Sequence, residues 1–249
     1  MTARNNKTDC VFISVVTVCF NSEKTIQQTL ESVLNQTYQN YEYIIIDGVS
    51  NDGTLEIISS YEEKFGDKLT IISEPDQGIY DAMNKGIRMA KGKLIGLINS
   101  DDYYELDALE KIVKTYRGHD LEIVYGMERE FAGDGRLQDI VFYSHEFLKT
   151  QMINHPTCFV TKDTYEKIGY YDLQYKSSSD YDFLLKAFLS KKVEFTPVYE
   201  IISNFSLGGM SSTMESHLET FKIWKKYGCI TKKRYYLITW RTLLKRWLE

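Results

Sequence analysis

The strongest constraint on the fold is an apolar run that ends abruptly in acid. Residues 93–104 read KLIGLINSDDYY. Leu94, Ile95, Leu97 and Ile98 suit a strand buried on both faces, as a parallel sheet requires. Asn99, Ser100, Asp101 and Asp102 follow at its carboxyl end, where open α/β sheets bind ligands. Two adjacent carboxylates repel unless water or a cation compensates them. Hard oxygen donors of this kind suit Mg²⁺ or Mn²⁺ held jointly with substrate phosphates. The same residues also suit a solvated turn before the next helix, and the stretch alone leaves both readings open.

The segments before it repeat the pattern. Residues 11–18 (VFISVVTV) and 41–46 (YEYIII) read as buried strands, the second ending on Asp47. Between them Ile26, Leu30, Val33 and Leu34 recur at helical spacing, with Asn21 or Ser22 as the expected cap. A helix over 55–65 and a strand over 69–72 follow. This βαβαβ alternation predicts a parallel sheet. The first glycine is Gly48, so no GxGxxG follows the first strand, and no GxxxxGK[ST] occurs. Dehydrogenases and P-loop enzymes are disfavoured. Strand-end carboxylates and a metal remain as the means of holding a nucleotide.

A helix from about 79 places Asp81, Asn84, Lys85 and Arg88 on one face. Gly86 in its middle costs about 1 kcal/mol relative to Ala, which predicts close packing or ligand approach there. A helix is expected over 107–116. Residues 123–130 and 137–143 read as a hairpin around Ala132-Gly133-Asp134-Gly135. The pattern thus shifts from βα alternation to mixed strands. His155, before Pro156, reads more readily as structural than catalytic. Ser179 or Asp180 can cap a helix that buries Phe183, Leu184, Ala187 and Phe188. Residues 200–205 form the last expected strand.

In this order and spacing the segments 14–54, 74–86, 94–104, 179–186 and 208–212 resemble a family 2 glycosyltransferase of the GT-A fold. The resemblance covers about residues 13–212. It implies an α/β fold with a mostly parallel twisted sheet flanked by helices, a small antiparallel acceptor-side region and C-terminal helices. It divides the chain into a domain over 1–213 (donor half 11–104, acceptor half 105–213) and a tail over 214–249. It implies an inverting enzyme that uses a nucleotide-sugar, usually UDP-linked, with Mg or Mn, in bacterial surface polysaccharide synthesis. The acceptor would be a glycan or polyprenyl-linked. Cys19, Asn21 and Asp47 match positions that meet the nucleotide. Asp76, Asp81, Asn84 and Lys85 match the donor-pocket lining. Asn99-Ser100-Asp101 stands at the DxD position, with Asn for the first Asp, so Ser100 and Asp101 meet the donor and Asp101 or Asp102 the metal. Asp180 matches the acceptor-activating base. Gly208 to Ser211 match a loop that closes near the diphosphate. The rival readings are a sugar-1-phosphate nucleotidyltransferase and a non-catalytic carbohydrate-binding protein. The first would resemble its class in a Gly- and Lys/Arg-rich loop that Phe20-Asn21-Ser22-Glu23 lacks.

Charge and composition place the remainder. Residues 222–249 carry a net +8 within a chain of −5, so residues 1–221 carry −13. That asymmetry argues against nucleic-acid binding and gives the tail its own partner. Tyr236, Trp240, Leu243, Leu244 and Trp247 form an apolar helical stripe amid Lys232, Lys233, Arg234, Arg241, Lys245 and Arg246. Contact with an anionic membrane and packing on the domain stand level for this helix. The polar N-terminus and four scattered cysteines without metal spacing point to free thiols in a reducing cytoplasm. Membrane contact would place the chain on the inner face of the plasma membrane.

Overall fold

The computed structural model describes residues 12–208 and 213–248, without the side chains of 245–248. Residues 209–211 of the expected diphosphate loop therefore lie outside the described residues, as do Cys10 and the side chains of Lys245, Arg246 and Trp247. Cys19, Cys158 and Cys229 are free thiols.

Strands β1 (Ile13–Cys19), β2 (Tyr41–Asp47), β3 (Leu69–Ser73) and β4 (Leu94–Leu97) form the parallel half of the sheet. All seven residues of β1 are buried, as expected for a strand with helices on both faces. The second half holds β5 (Tyr103–Tyr104), β6 (Glu122–Phe131), β7 (Leu137–Val141), β8 (Phe159–Thr161) and β9 (Glu194–Ser206). The strand order is β3-β2-β1-β4-β8-β6-β9-β5, with β7 hairpinned onto β6. β8 runs antiparallel to both neighbours and joins the halves. β9 runs parallel to β6 and begins six residues before the expected strand, because its first half pairs with β6.

Helices cover both faces: α1 (Ile26–Leu34), α2 (Thr54–Ser59), α3 (Glu62–Phe65), α4 (Ile79–Met89), α5 (Ala108–Thr115), α6 (Lys162–Ile168) and α7 (Ser179–Ser190). The helix expected over 55–65 is thus two short ones. α1 starts later than expected and neither Asn21 nor Ser22 caps it: Thr25 occupies the cap without a side-chain bond. Asn21 and Ser22 are instead spent on the neighbouring loops. Gly86 is required by packing, since a Cβ there would lie 2.3 Å from Val16 Cγ1. Beyond β9, α8 (Met214–Lys226) packs on α7 and α9 (Lys232–Leu248) packs on α8.

Candidate active site

The carboxyl ends of β1, β2 and β4 lie side by side, because these strands pair in register. Cys19 is aligned with Asp47 across the first pair. Asp47 is fully buried and surrounded by donors. Its Oδ1 accepts from Ser50 Oγ at 2.5 Å and from the Cys19 thiol at 3.7 Å. Its Oδ2 accepts from Ser50 N at 3.0 Å and Ser73 Oγ at 2.7 Å. Burial, then the Asp47 charge, pushes the Cys19 thiol far up, so it stays a protonated donor. The sequence expectation put both residues against the nucleotide. In the structure they face each other and shape the loop after β2.

That loop is laced to the one after β1. Asn21 adopts φ 51°, a left-handed conformation that Asn tolerates better than most residues. Its N–H donates to Ser50 Oγ at 2.8 Å, and its Oδ1 accepts from Asn51 N at 2.9 Å. Ser22 reaches the third loop through a 2.8 Å bond to Ser100 Oγ. Val49 also has positive φ (64°), which a β-branched residue adopts only under strain, and it is exposed.

The segment before α4 supplies the next wall. Asp76 Oδ1 accepts from Gly78 N at 2.8 Å, while its Oδ2 lies where a Gly48 side chain would begin, 2.7 Å from that Cβ position. Gly48 is therefore needed for Asp76 to approach. Asp81 accepts from Gln77 N at 3.1 Å. Lys85 bonds Pro75 O at 2.7 Å and pairs with Glu74 at 3.0 Å. These residues brace the 74–78 turn. Asn84 departs from the expected shared face. It is buried, and its amide spends both ends on Tyr171, donating to O at 2.9 Å and accepting from N at 3.0 Å. The segment around Tyr171 covers the helix there.

The Asp101 and Asp102 carboxylates differ in burial, one exposed and the other fully buried. Asp102 is fully buried, accepting from Ser206 N at 3.0 Å and Asn99 Nδ2 at 3.2 Å. Burial, then the neighbouring Asp101, raises its carboxyl well above the ordinary range. Asp101 is exposed, and its carbonyl is fixed by Ser206 Oγ at 2.7 Å. One open carboxylate of this kind fits a hard cation completed by phosphate oxygens. Among the described residues no cluster of three or more His, Cys, Asp or Glu side chains forms an all-protein cage.

Asp180 arrives from the first turn of α7, whose cap is Ser178 rather than Ser179 or Asp180. Its Oδ1 accepts from the Tyr80 hydroxyl at 2.8 Å and from Tyr181 N at 2.9 Å. Its Oδ2 lies 3.4 Å from His155 Nδ1. Sequence reasoning treated His155 as structural. It sits between the two halves of the site, with Nε2 3.5 Å from Asn99 Nδ2. The ring's other nitrogen, Nδ1, is the one placed to donate to the Asp180 carboxylate. Burial depresses the His155 pKa and keeps the ring neutral. The one available signal was the His-Pro step, which holds the ring in a 3₁₀ turn (His155–Thr157) just before β8. Asp182 turns away, taking Lys226 Nζ at 2.8 Å and the Tyr227 hydroxyl at 3.4 Å.

The fold is shared with solved glycosyltransferases. Staphylococcus aureus TarS 1–349 in complex with UDP-GlcNAc superposes with TM-score 0.69 at 20% identity, covering 93% of this chain and 71% of that one. The mannosyltransferase PcManGT of Pyrobaculum calidifontis, bound to GDP-Man and Mn²⁺, gives 0.68 at 15% identity, covering 88% and 65%. Against a longer TarS chain this protein spans 38% of the length. The curled, mostly parallel sheet with helices on both faces is that of the GT-A class of nucleotide-sugar transferases. Residues 14–163 match the family model described as Glycosyl transferase family 2, and the chain belongs to that family; it is a glycosyltransferase. A PGL/p-HBAD biosynthesis glycosyltransferase of Mycobacterium bovis is 28% identical over 208 residues, 81% of this chain and 79% of its own. Hyaluronan synthase of Pasteurella multocida is 31% identical over 93% of this chain, which spans 23% of that enzyme.

Proposed function

We propose that the protein transfers a sugar from a UDP-sugar to a hydroxyl of a glycan or lipid-linked acceptor, with inversion, in bacterial surface polysaccharide synthesis. The observation that carries this reading is the Asp180 carboxylate, held by Tyr80, Tyr181 N and His155, with His155 standing between it and the Asn99 loop. A sugar hydroxyl is a weak nucleophile, so a placed carboxylate must take its proton as it attacks. In the proposed step the acceptor oxygen bonds the anomeric carbon, the bond from that carbon to the diphosphate oxygen breaks, and the hydroxyl proton passes to Asp180. Tyr80, Tyr181 N and His155 keep the carboxylate aimed throughout.

Asp101 would hold a Mg²⁺ or Mn²⁺ with the diphosphate oxygens, and that ion would neutralise charge on the leaving group. Asp102 serves this loop from behind, tying it to Ser206. Asp47 acts likewise, holding the Asn21 and Ser50 loops for the nucleotide, with Cys19 as its donor. Asp76, Asp81 and Lys85 shape the donor pocket, and Asn84 fixes the acceptor-side segment on it. Ser100 is carried there by Ser22. The donor half is assigned to 11–104 and the acceptor half to 105–213, with 214–249 as an appended tail. Relatives named for chondroitin, hyaluronan and PGL/p-HBAD synthesis support a carbohydrate or lipid-linked acceptor.

A panel of UDP-sugars and GDP-mannose with Mn²⁺ tests this. Release of free nucleoside diphosphate supports transfer, with the anomeric configuration read by NMR. Pyrophosphate release would mark a nucleotidyltransferase, and binding without turnover a carbohydrate-binding protein. Asp101→Asn should weaken Mn²⁺-dependent UDP binding by calorimetry. Asp102→Asn should lower thermal stability first. Unchanged Mn²⁺ dependence in Asp101→Asn would place the metal elsewhere.

A further inference from the structure

We propose that α9 is a docking helix for an anionic lipid surface, extending the functional reading above to where the enzyme works. Tyr236, Leu237, Trp240 and Leu243 are all exposed, at 62%, 45%, 60% and 46%. On a helix at 3.6 residues per turn Tyr236, Trp240 and Leu243 align, with Leu237 on the border. The helix rests on α8 through an adjacent side, where the Lys225 ammonium stands 4.3 Å over the Tyr235 ring and, at the margin of the exposed face, 5.0 Å over the Tyr236 ring. Of the stripe expected from sequence, Tyr236, Trp240 and Leu243 are turned outward, Leu244 is half-buried, and the Trp247 side chain lies outside the described residues.

Its flanks identify the occupant. α9 carries six Lys/Arg and no acid. Lys232, Lys233, Arg234 and Arg241 are exposed. At about 100° per residue, Lys232 and Lys233 border the apolar face near its start, while Arg234 and Arg241 lie beyond Leu237, roughly 140–160° round from Tyr236. Long cationic stems in that arrangement lie along an apolar layer while their heads reach lipid phosphates. Trp and Tyr add amphipathic rings suited to the headgroup region. A second copy of the chain would bring its own cations against these, and an acidic body of net −13 orients only this end toward an anionic surface. No helix among the described residues is long and apolar enough to cross a membrane, so the contact is interfacial.

The platform connects to the site. Trp224 of α8 donates to the Tyr181 hydroxyl at 2.6 Å, and Lys226 pairs with Asp182. Both partners directly follow Asp180 in the first turn of α7. A docked α9 therefore sets the acceptor-activating segment at a fixed height over the lipid, as a lipid-linked acceptor requires.

Co-sedimentation of the full chain with phosphatidylcholine vesicles, with and without phosphatidylglycerol, tests this without reference to activity. Wild type should pellet with the anionic vesicles and be released by salt. Trp240→Ser with Tyr236→Ser should abolish pelleting while circular dichroism and melting stay unchanged. Lys232→Gln, Lys233→Gln and Arg234→Gln together should weaken partitioning about a hundredfold, at roughly fivefold per cation. Three results overturn the inference: no pelleting of wild type, equal pelleting without anionic lipid, or light scattering that shows a dimer broken by Trp240→Ser. If transfer activity is absent yet anionic pelleting holds, the functional reading fails and this one stands.

Discussion

At the scale of single residues, the site turns on which carboxylates are free and which are occupied. Asp180 and Asp182 lie two positions apart on α7, yet Lys226 neutralises one while the other meets Tyr80 and His155. Asp180→Asn should retain UDP-sugar binding by calorimetry while turnover falls by about 10²–10⁴-fold, the range for losing a general base. Asp182→Asn should keep turnover and lower the melting temperature, since a charge partly buried against Lys226 loses its partner. In the proposed reaction His155 would act through Asp180 as a positioning residue. His155→Ala should lower kcat with little change in donor KM, and His155→Asn, which can still donate near the Nδ1 position, should restore part of it. In an Asp180→Asn background His155→Ala should cost almost nothing further. Equal losses in both backgrounds would leave His155 a purely structural residue.

At the scale of elements, glycine placement separates local preference from packing. Helix propensity alone predicts that Gly86→Ala stabilises α4 by about 1 kcal/mol. The Val16 Cγ1 at 2.3 Å from the new methyl reverses the sign, because β1 is buried on that side and cannot retreat. The expected outcome is a net loss of about 1–3 kcal/mol, the usual cost of overpacking, read from denaturant midpoints. The short turns between elements carry the same lesson. The loops after β1, β2 and β4 are held by Asn21, Ser22, Asp47 and Ser100 bonding one another, so no single loop has the site conformation on its own.

At the scale of the molecule, the seam between β6 and β9 holds a buried acid. Glu128 is 1% exposed, accepts from Ser203 Oγ at 2.9 Å and from Asn154, and burial pushes its carboxyl up to about 7. A carboxyl raised in the folded state holds its proton there after the unfolded chain has released it. Folding stability attributable to Glu128 therefore falls as pH rises from about 4.5 to about 7, then levels. Glu128→Gln removes that slope. Its stability relative to wild type should grow by up to about 3 kcal/mol across this window, at about 1.4 kcal/mol per pH unit, and stay constant above it. Urea titrations at several pH values check this. A pH-independent difference would show that burial does not raise the Glu128 carboxyl in the folded chain. Asn154 ties this acid to the turn before His155, so the seam and the site share one segment.

The sequence by itself determined the α/β class, the four parallel strands and the positions of their ligand-facing ends. Those follow from periodicity: runs such as VFISVVTV and YEYIII are buried on both faces only in a sheet flanked by helices, and strand ends fall where apolar residues stop. The 123–143 hairpin and the apolar stripe of α9 were legible for the same reason, whereas the side of α9 that packs on α8 was not. What only the tertiary structure decided is which polar atoms are left over. Asp47, Asn84 and Asp102, expected at the donor and the metal, bond Ser73, Tyr171 and Ser206, partners 26, 87 and 104 residues away. His155 looks structural and stands beside Asp180. A hydrogen bond depends on distance between atoms brought together by chain crossings, and no local pattern in a sequence encodes that distance.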